Sequence, residues 1–243
     1  MTLTLTASLA GTAVSAQAQV SVCRYAGAAV GFVPAGDSHI KSFISATGRP
    51  LGVRHVYYGT TIPPVLAGSK VAGDAGTRKV LMDFRPAADG SQAAALGAFL
   101  ASCKAAGLNV SVTLHHEMYS KFASPAAYFA AIAPYVPVIR AAGYQHVWCA
   151  TNYSIVHHGA LSWYPGDALC DAISPDYYPG DGGFTGSVTN DTLDMVAAFA
   201  DARGKPFGLC EFSGFAAAAA PSTEAQGDAF LARVLAFFEA RLA

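Results

Sequence analysis

Short apolar runs recur along the chain: "AAVGFVPA" from residue 28, "VRHVYYG" from 53, "RKVLMDFRP" from 78, "NVSVTLHHE" from 109, "HVWCATN" from 146, "AISPDYY" from 172 and "PFGLCEF" from 206. Each is bounded by Gly, Pro or charge, and each reads as apolar on both faces. That pattern predicts strands of a parallel sheet covered on its outer side by helices. Amphipathic segments with legible ends lie between several of them. Asp37 is placed to cap "DSHIKSFISATG", which Gly48 can close, and Ser91 to cap "SQAAALGAFLASCKAAG", which Gly107 can close. Ser124 with Pro125 opens "SPAAYFAAIAPYVPVIRAAG", ended by Gly143; "TNDTLDMVAAFADARG" runs to Gly204, and an Ala- and Phe-rich helix follows Ser222.

A strand followed each time by a helix or long loop fits an α/β fold, a (β/α)8 TIM barrel, better than a doubly wound sheet. "FVPAGDS", after the first run, lacks the glycine spacing of a dinucleotide site. No eighth strand is legible after Glu211, so the barrel is expected to be open or atypical there, or closed by the N-terminal "TLTLT". This divides the chain into an N-terminal extension, 1–22, and a barrel domain, 23–243. The stretch "YSIVHHGALSWYPGDALCD" has little helical pattern and is expected to be an irregular loop.

Composition narrows the partners. Of 243 residues, 53% are hydrophobic and 13% charged, which suits one large domain. Lys and Arg number 15 against 16 Asp and Glu, with no basic run, so nucleic acid is not an expected partner. No apolar stretch approaches the length of a membrane span. The opening segment contains an Ala-Gln-Ala but reaches its first basic residue only at Arg24, so it reads as a structured extension and not as a cleaved signal. Cys23, Cys103, Cys149, Cys170 and Cys210 are odd in number and widely spaced, which predicts buried thiols, not disulfides or a metal motif.

The strand ends carry the chemistry, as they do in parallel barrels. They gather Tyr57 and Tyr58, Asp83 and Arg85, His115, His116 and Glu117, Asn152, Asp176 with Tyr177 and Tyr178, and Glu211. Two carboxylates on one rim suit glycosidic-bond cleavage, in which one protonates the leaving oxygen and the other attacks the anomeric carbon. "HHEM" at 115–118, "VWCATN" ending at Asn152, "WYPGDALCDAISPDYYPG" at 163–180 and "KPFGLCEFSG" at 205–214 resemble motifs of the clan A glycoside hydrolases, family 26 in particular, the family of β-mannanases and related β-glycanases. The resemblance covers residues 109–214.

It implies a retaining enzyme on a β-linked polysaccharide or oligosaccharide, with Glu117 as acid/base and Glu211 as nucleophile, and no cofactor or metal. His116 would contact sugar hydroxyls or tune Glu117, and Tyr178 would hydrogen-bond the nucleophile. His115, Asn152, Asp176, Asp83 and Arg85 complete the expected binding residues, with Trp163, Tyr119, Phe122 or Tyr57 supplying the stacking face for a sugar. Trp148, inside its strand, is expected in the core. The family's arginine four residues before the acid/base is Thr113 here, its Asn-Gly after Glu-Met is Tyr119-Ser120, and the segment from Asp171 to Tyr178 is one residue shorter than the common pattern. These departures bear on the substrate more than on the reaction.

Other readings exist. Glu211 can be a structural carboxylate paired with Arg85 or Lys205. His115, His116, His157 and His158 can ligate a metal with Glu117 or Asp83, although adjacent histidines in a strand face opposite ways. A serine hydrolase is excluded by the lack of G-x-S-x-G. The competing class is a glycan-binding barrel within a larger assembly such as a phage tail; on either reading the chain is expected to act outside the cell or at a surface.

Overall fold

The apolar runs become parallel strands whose two faces meet different partners. A computed structural model describes residues 27–28, 52–178, 191–212, 232–234 and 236–241. Strands β1 (Gly27–Ala28), β2 (Val53–Gly59), β3 (Lys79–Phe84), β4 (Asn109–Leu114), β5 (Gln145–Trp148) and β6 (Ala172–Ile173) lie side by side in chain order, all parallel. β7 (Asp176–Tyr177) and β8 (Glu211–Phe212) form a second parallel pair. Parallel bridges Thr151 to Asp176 and Ile173 to Phe207 continue the same succession from one pair to the next.

The sixth run is therefore one strand position in two pieces. Pro175 sits between β6 and β7 and has no N–H to give a ladder, although its carbonyl accepts from the Cys210 N–H at 3.1 Å. At the far end of the order, a Glu211 oxygen of β8 lies 3.7 Å from His55 Nδ1 of β2. A flat sheet would hold these strands far apart, so the sheet is curled. Among the described residues no ladder joins β8 to β1. The expected closure by "TLTLT", most of the first run and the helix after Asp37 lie outside the described residues.

Helices cover the outer face: α1 (Ala93–Ala105), α2 (Pro125–Ile132), α3 (Val136–Ala141), α4 (Asn152–His158) and α5 (Asp191–Asp201), with residues 232–234 and 236–241 also helical. Ser124 caps α2 as expected, its hydroxyl accepting from Ala127 N–H at 3.2 Å. Gly107, Gly143 and Gly204 all have the positive φ that ends a helix. Three expectations need correction. Ser91 does not cap α1; its N–H bonds the Asp89 carboxylate, and Gln92 holds the cap position without a side-chain bond. The segment 124–143 is two helices, because Pro134 removes a donor and clashes with the preceding turn. The segment after β5 is not an irregular loop: Thr151 accepts from Ser154 N–H and starts α4, and a 3-10 turn, Ala160–Trp163, follows.

Alternation along the strands separates two interiors. Val80, Met82, Phe84, Val110, Val112, Leu114, Trp148 and Ile173 belong to one large core with Leu96, Phe99, Leu100 and Ile139 of the helices. The intervening positions hold Leu81, Asp83, Ser111, Thr113, Val147, Cys149 and Ala172, and only a small cluster of Val147, Cys149, Ala172 and Cys210 forms on that side, with Leu81 against it. The inner face is thus small and partly polar, unlike the expectation of two apolar faces. It leaves room for ionisable groups.

Arg54 of β2 is also buried, at 3% exposure, and donates from Nη1 to Asp74 Oδ2 at 3.0 Å. Arg78 Nε lies 3.1 Å from the other Asp74 oxygen. Removing one member of a buried pair strands the other charge, so Asp74→Ala is expected to lower unfolding free energy by about 3–5 kcal/mol in urea titration. Asp201→Ala, which breaks the more exposed pair with Arg241, should cost no more than about 1 kcal/mol.

Candidate active site

Past Leu114 the chain leaves β4 through two strained residues. His115 and Glu117 both have φ of 54°, and they are the non-glycine residues with positive φ among the described residues. Side chains there crowd the backbone, at about 1–3 kcal/mol each, and such strain concentrates at functional sites. It is held by hydrogen bonds to both neighbouring strands: His115 N–H to Phe84 C=O at 2.8 Å and Glu117 N–H to Cys149 C=O at 3.0 Å.

The turn sends the two histidines different ways. His115 packs edge-on to Phe122, ring centroids 4.9 Å apart, and burial pulls its pKa down to about 4. His116 Nδ1 lies 2.9 Å from Asp83 Oδ1, at ion-pair distance but off the line of a good hydrogen bond, and its Nε2 lies 3.8 Å from Glu117 Oε2. Asp83 also accepts from Thr113 Oγ1 at 3.0 Å and from His116 N–H at 3.2 Å. Burial alone would raise the Asp83 pKa; His116 and these donors outweigh it and hold the carboxyl below its usual range. Thr113 therefore serves Asp83, and Asp83 orients His116. Lys121 Nζ completes this arm, donating to the His116 carbonyl and lying 3.9 Å from Glu117 Oε2.

Glu211 faces this arm. It accepts hydrogen bonds from the phenols of Tyr57 and Tyr178 on its two oxygens, with His55 3.7 Å away. Burial pushes its pKa up to about 7. The two phenols act the other way, since a donor to a carboxylate favours the charged form. His55 cannot supply a fixed charge: burial lowers it to about 4, against the opposing pull of Asp83. The Tyr57 ring lies 5.2 Å from that of His116, so an unbroken path of contacts runs from Glu117 through His116 and Tyr57 to Glu211.

The expected binding residues divide by depth. Tyr57, Arg85, Glu117, Tyr119, Tyr178 and Glu211 retain exposure, with Glu117 at 39% and Tyr178 at 38%. Asp83 and Asp176 are at 0%, Trp163 at 6% and His115 at 8%, so as placed they support the site from behind and do not offer a face to a sugar. Trp163 gives its carbonyl to Trp148 Nε1, and its ring meets Tyr119 edge-on. Trp148 is core, as expected. Asn152 spends its amide on the backbone of Tyr178, donating to its C=O at 3.0 Å and accepting from its N–H at 2.9 Å. Its place is to fix Tyr178.

His55 and Lys121 are site residues that strand-end reasoning missed. His55 shares a face with Tyr57 two residues on, and Lys121 falls four residues after Glu117, so alternation and helical spacing could have found both. The partners proposed for a structural Glu211 are engaged elsewhere: Arg85 lies 3.9 Å from Asp83, and Lys205 donates to the Asp167 carbonyl. His158 instead stacks on Tyr119, and the His157 ring meets that of Tyr153 at a tilt. The grouping of metal-ligating side chains among the described residues is Cys149, Asp176 and Cys210.

By sequence, the chain matches no family model and no curated protein. By structure, it is similar to GH26A from Muricauda sp. MAR_2010_75, with a TM-score of 0.60 at 13% identity, over 83% of this chain and 82% of that one. A modular endo-β-1,4-mannanase of glycoside hydrolase family 26 from Cellulomonas fimi aligns with a TM-score of 0.64 at 16% identity, over 91% of this chain but 64% of its own length. A family 26 β-mannanase from Bacteroides ovatus aligns at 0.55 and 14% identity, over 81% of this chain and 74% of that one. At these identities the likeness is one of fold: the chain is an α/β protein with a parallel sheet, similar in architecture to the family 26 glycoside hydrolases.

Proposed function

We propose that this chain is a retaining glycoside hydrolase acting on a β-linked polysaccharide, with its curled sheet completing a (β/α)8-type barrel. The observation that carries the reading is the contact path joining Glu117 to Glu211 through His116 and Tyr57, with the backbone strained at Glu117 itself. Glu211 attacks the anomeric carbon while Glu117 gives its proton to the departing oxygen; Glu117 then takes a proton from water, which releases the sugar from Glu211. Tyr57 and Tyr178 hold both oxygens of the nucleophile, and Asn152 holds Tyr178. The likeness to β-mannanases favours a mannan-type backbone as the first substrate to test.

A second reading, glycan binding without cleavage, is favoured by one observation. Glu211 is largely buried, which raises its pKa to about 7, and below that pH the protonated carboxyl cannot attack. Product release from polysaccharide, against mere retention on it, separates the two.

Glu117→Gln should leave a folded protein with kcat/KM lowered about 10²–10⁴-fold. Glu211→Gln should have no measurable turnover; full activity in either variant overturns the assignment. In wild type, kcat/KM should rise with pH through a midpoint near about 7 as Glu211 ionises. Tyr57→Phe should move that midpoint upward, because it removes a donor that favours the carboxylate. Stability carries the opposite sign. A carboxyl whose folded pKa exceeds its unfolded value of 4.5 keeps its proton longer in the folded state, so its contribution is full at low pH and is lost as pH rises towards about 7. Glu211→Gln, which stays neutral, should therefore gain on wild type in urea unfolding between about pH 5 and about pH 8.

A further inference from the structure

Directly beneath Glu211, three strand positions bring one ligating side chain each to a single point. Cys149 follows β5, Asp176 opens β7 and Cys210 precedes β8. Their two sulfurs and a carboxylate oxygen lie within 4.8 Å of one another, and all three residues are buried. Cys149 Sγ donates to Asp176 Oδ1 at 3.2 Å, but Asp176 Oδ2, on a residue at 0% exposure, has no hydrogen-bond partner among the described residues. A buried carboxyl oxygen without a partner is costly, and the surrounding Leu81, Val147 and Ala172 have no side-chain donor to offer it.

We propose that Cys149, Asp176 and Cys210 form a binding site for a thiophilic divalent cation, Zn²⁺ being the best match. Two thiolates and one carboxylate are a donor set that Zn²⁺ takes readily, whereas Mg²⁺ and Ca²⁺ require oxygen alone. Zinc bonds of about 2.3 Å to sulfur and about 2.0–2.2 Å to oxygen, set tetrahedrally, place ligand atoms about 3.3–3.8 Å apart. The cluster needs to contract by no more than about 1 Å, and a water can take the fourth position.

Burial drives the Asp176 carboxyl, and both thiols, towards their neutral forms, and the Glu117 and Asp83 charges push Asp176 further the same way. A cation reverses that balance and releases protons as it binds. Bound there, it ties the end of β5 and β7 to β8, the strand that Glu211 opens with Asp176 as its register partner. The ligands are too far apart in sequence to form any spacing motif. The proposal is independent of glycoside hydrolysis, so an inactive protein can still bind the ion.

The test is a titration of reduced, chelator-stripped full-length protein with Co²⁺, followed by Zn²⁺. The expected result is one Co²⁺ per chain with a thiolate-to-cobalt charge-transfer band, abolished by stoichiometric Zn²⁺. Surface histidines such as His157 and His158 can bind Co²⁺ but give no such band. Cys149→Ser combined with Cys210→Ser should lose the band, while Cys103→Ser, a buried thiol in the helix-side core, should keep it. If the double variant does not fold, Asp176→Asn serves in its place and should weaken binding at least about tenfold. Absence of the band in wild type, or its persistence in the double variant, overturns the proposal.

Discussion

The whole site depends on one buried carboxylate. Glu211 opens the last described strand with its side chain at 15% exposure, where an anion must either be neutralised or be given donors. Among the described residues it receives two phenols and no fixed cation, so its charge is balanced on a margin that burial pushes one way and Tyr57 and Tyr178 push the other. The rest of the inner face is arranged around that margin. Burial holds His55 neutral beside it, and Asn152 has both ends of its amide committed to keeping Tyr178 in reach.

The opposite arm shows a contrasting solution. Asp83 is buried more completely than Glu211 yet stays ionised, because Thr113, the His116 backbone and the His116 ring all converge on it. The difference follows from position. Asp83 lies within a ladder where neighbouring strands supply polar groups in register, Thr113 being its direct partner on β4. Glu211 stands at an edge of the pattern and must draw its donors from β2 and from the segment after β7. The sheet that makes this possible has its bulk on the outer side, so the inner face can hold ionisable residues without opening the core.

Much of this was legible in the sequence, with limits that have physical causes. The run from 53 to 59 became a strand at those bounds, and the Ser124 cap and the glycine stops of the helices fell where local chemistry put them. Prolines interrupt runs whose apolar pattern continues across them: Pro134 divides a helix and Pro175 divides a strand. The polar ring at the strand ends was visible, but its depth was not. Asp83, Asp176 and Trp163 look like Tyr57 and Tyr178 in sequence, yet burial makes the first three supports and leaves the others at the surface. The left-handed turn at His115 and Glu117 has no local signature either, since glutamate rarely adopts that conformation, histidine does so only in a small minority of cases, and here the flanking strands hold it.

The measurement that bears most directly on the central claim is covalent trapping of the nucleophile. Wild-type protein is incubated with activated 2-deoxy-2-fluoro β-glycosides, which slow breakdown of the glycosyl-enzyme, and the labelled peptide is identified by mass spectrometry. The account predicts one sugar per chain, attached to Glu211. A label on a different carboxylate, or hydrolysis of polysaccharide with Glu211 never modified, would contradict it.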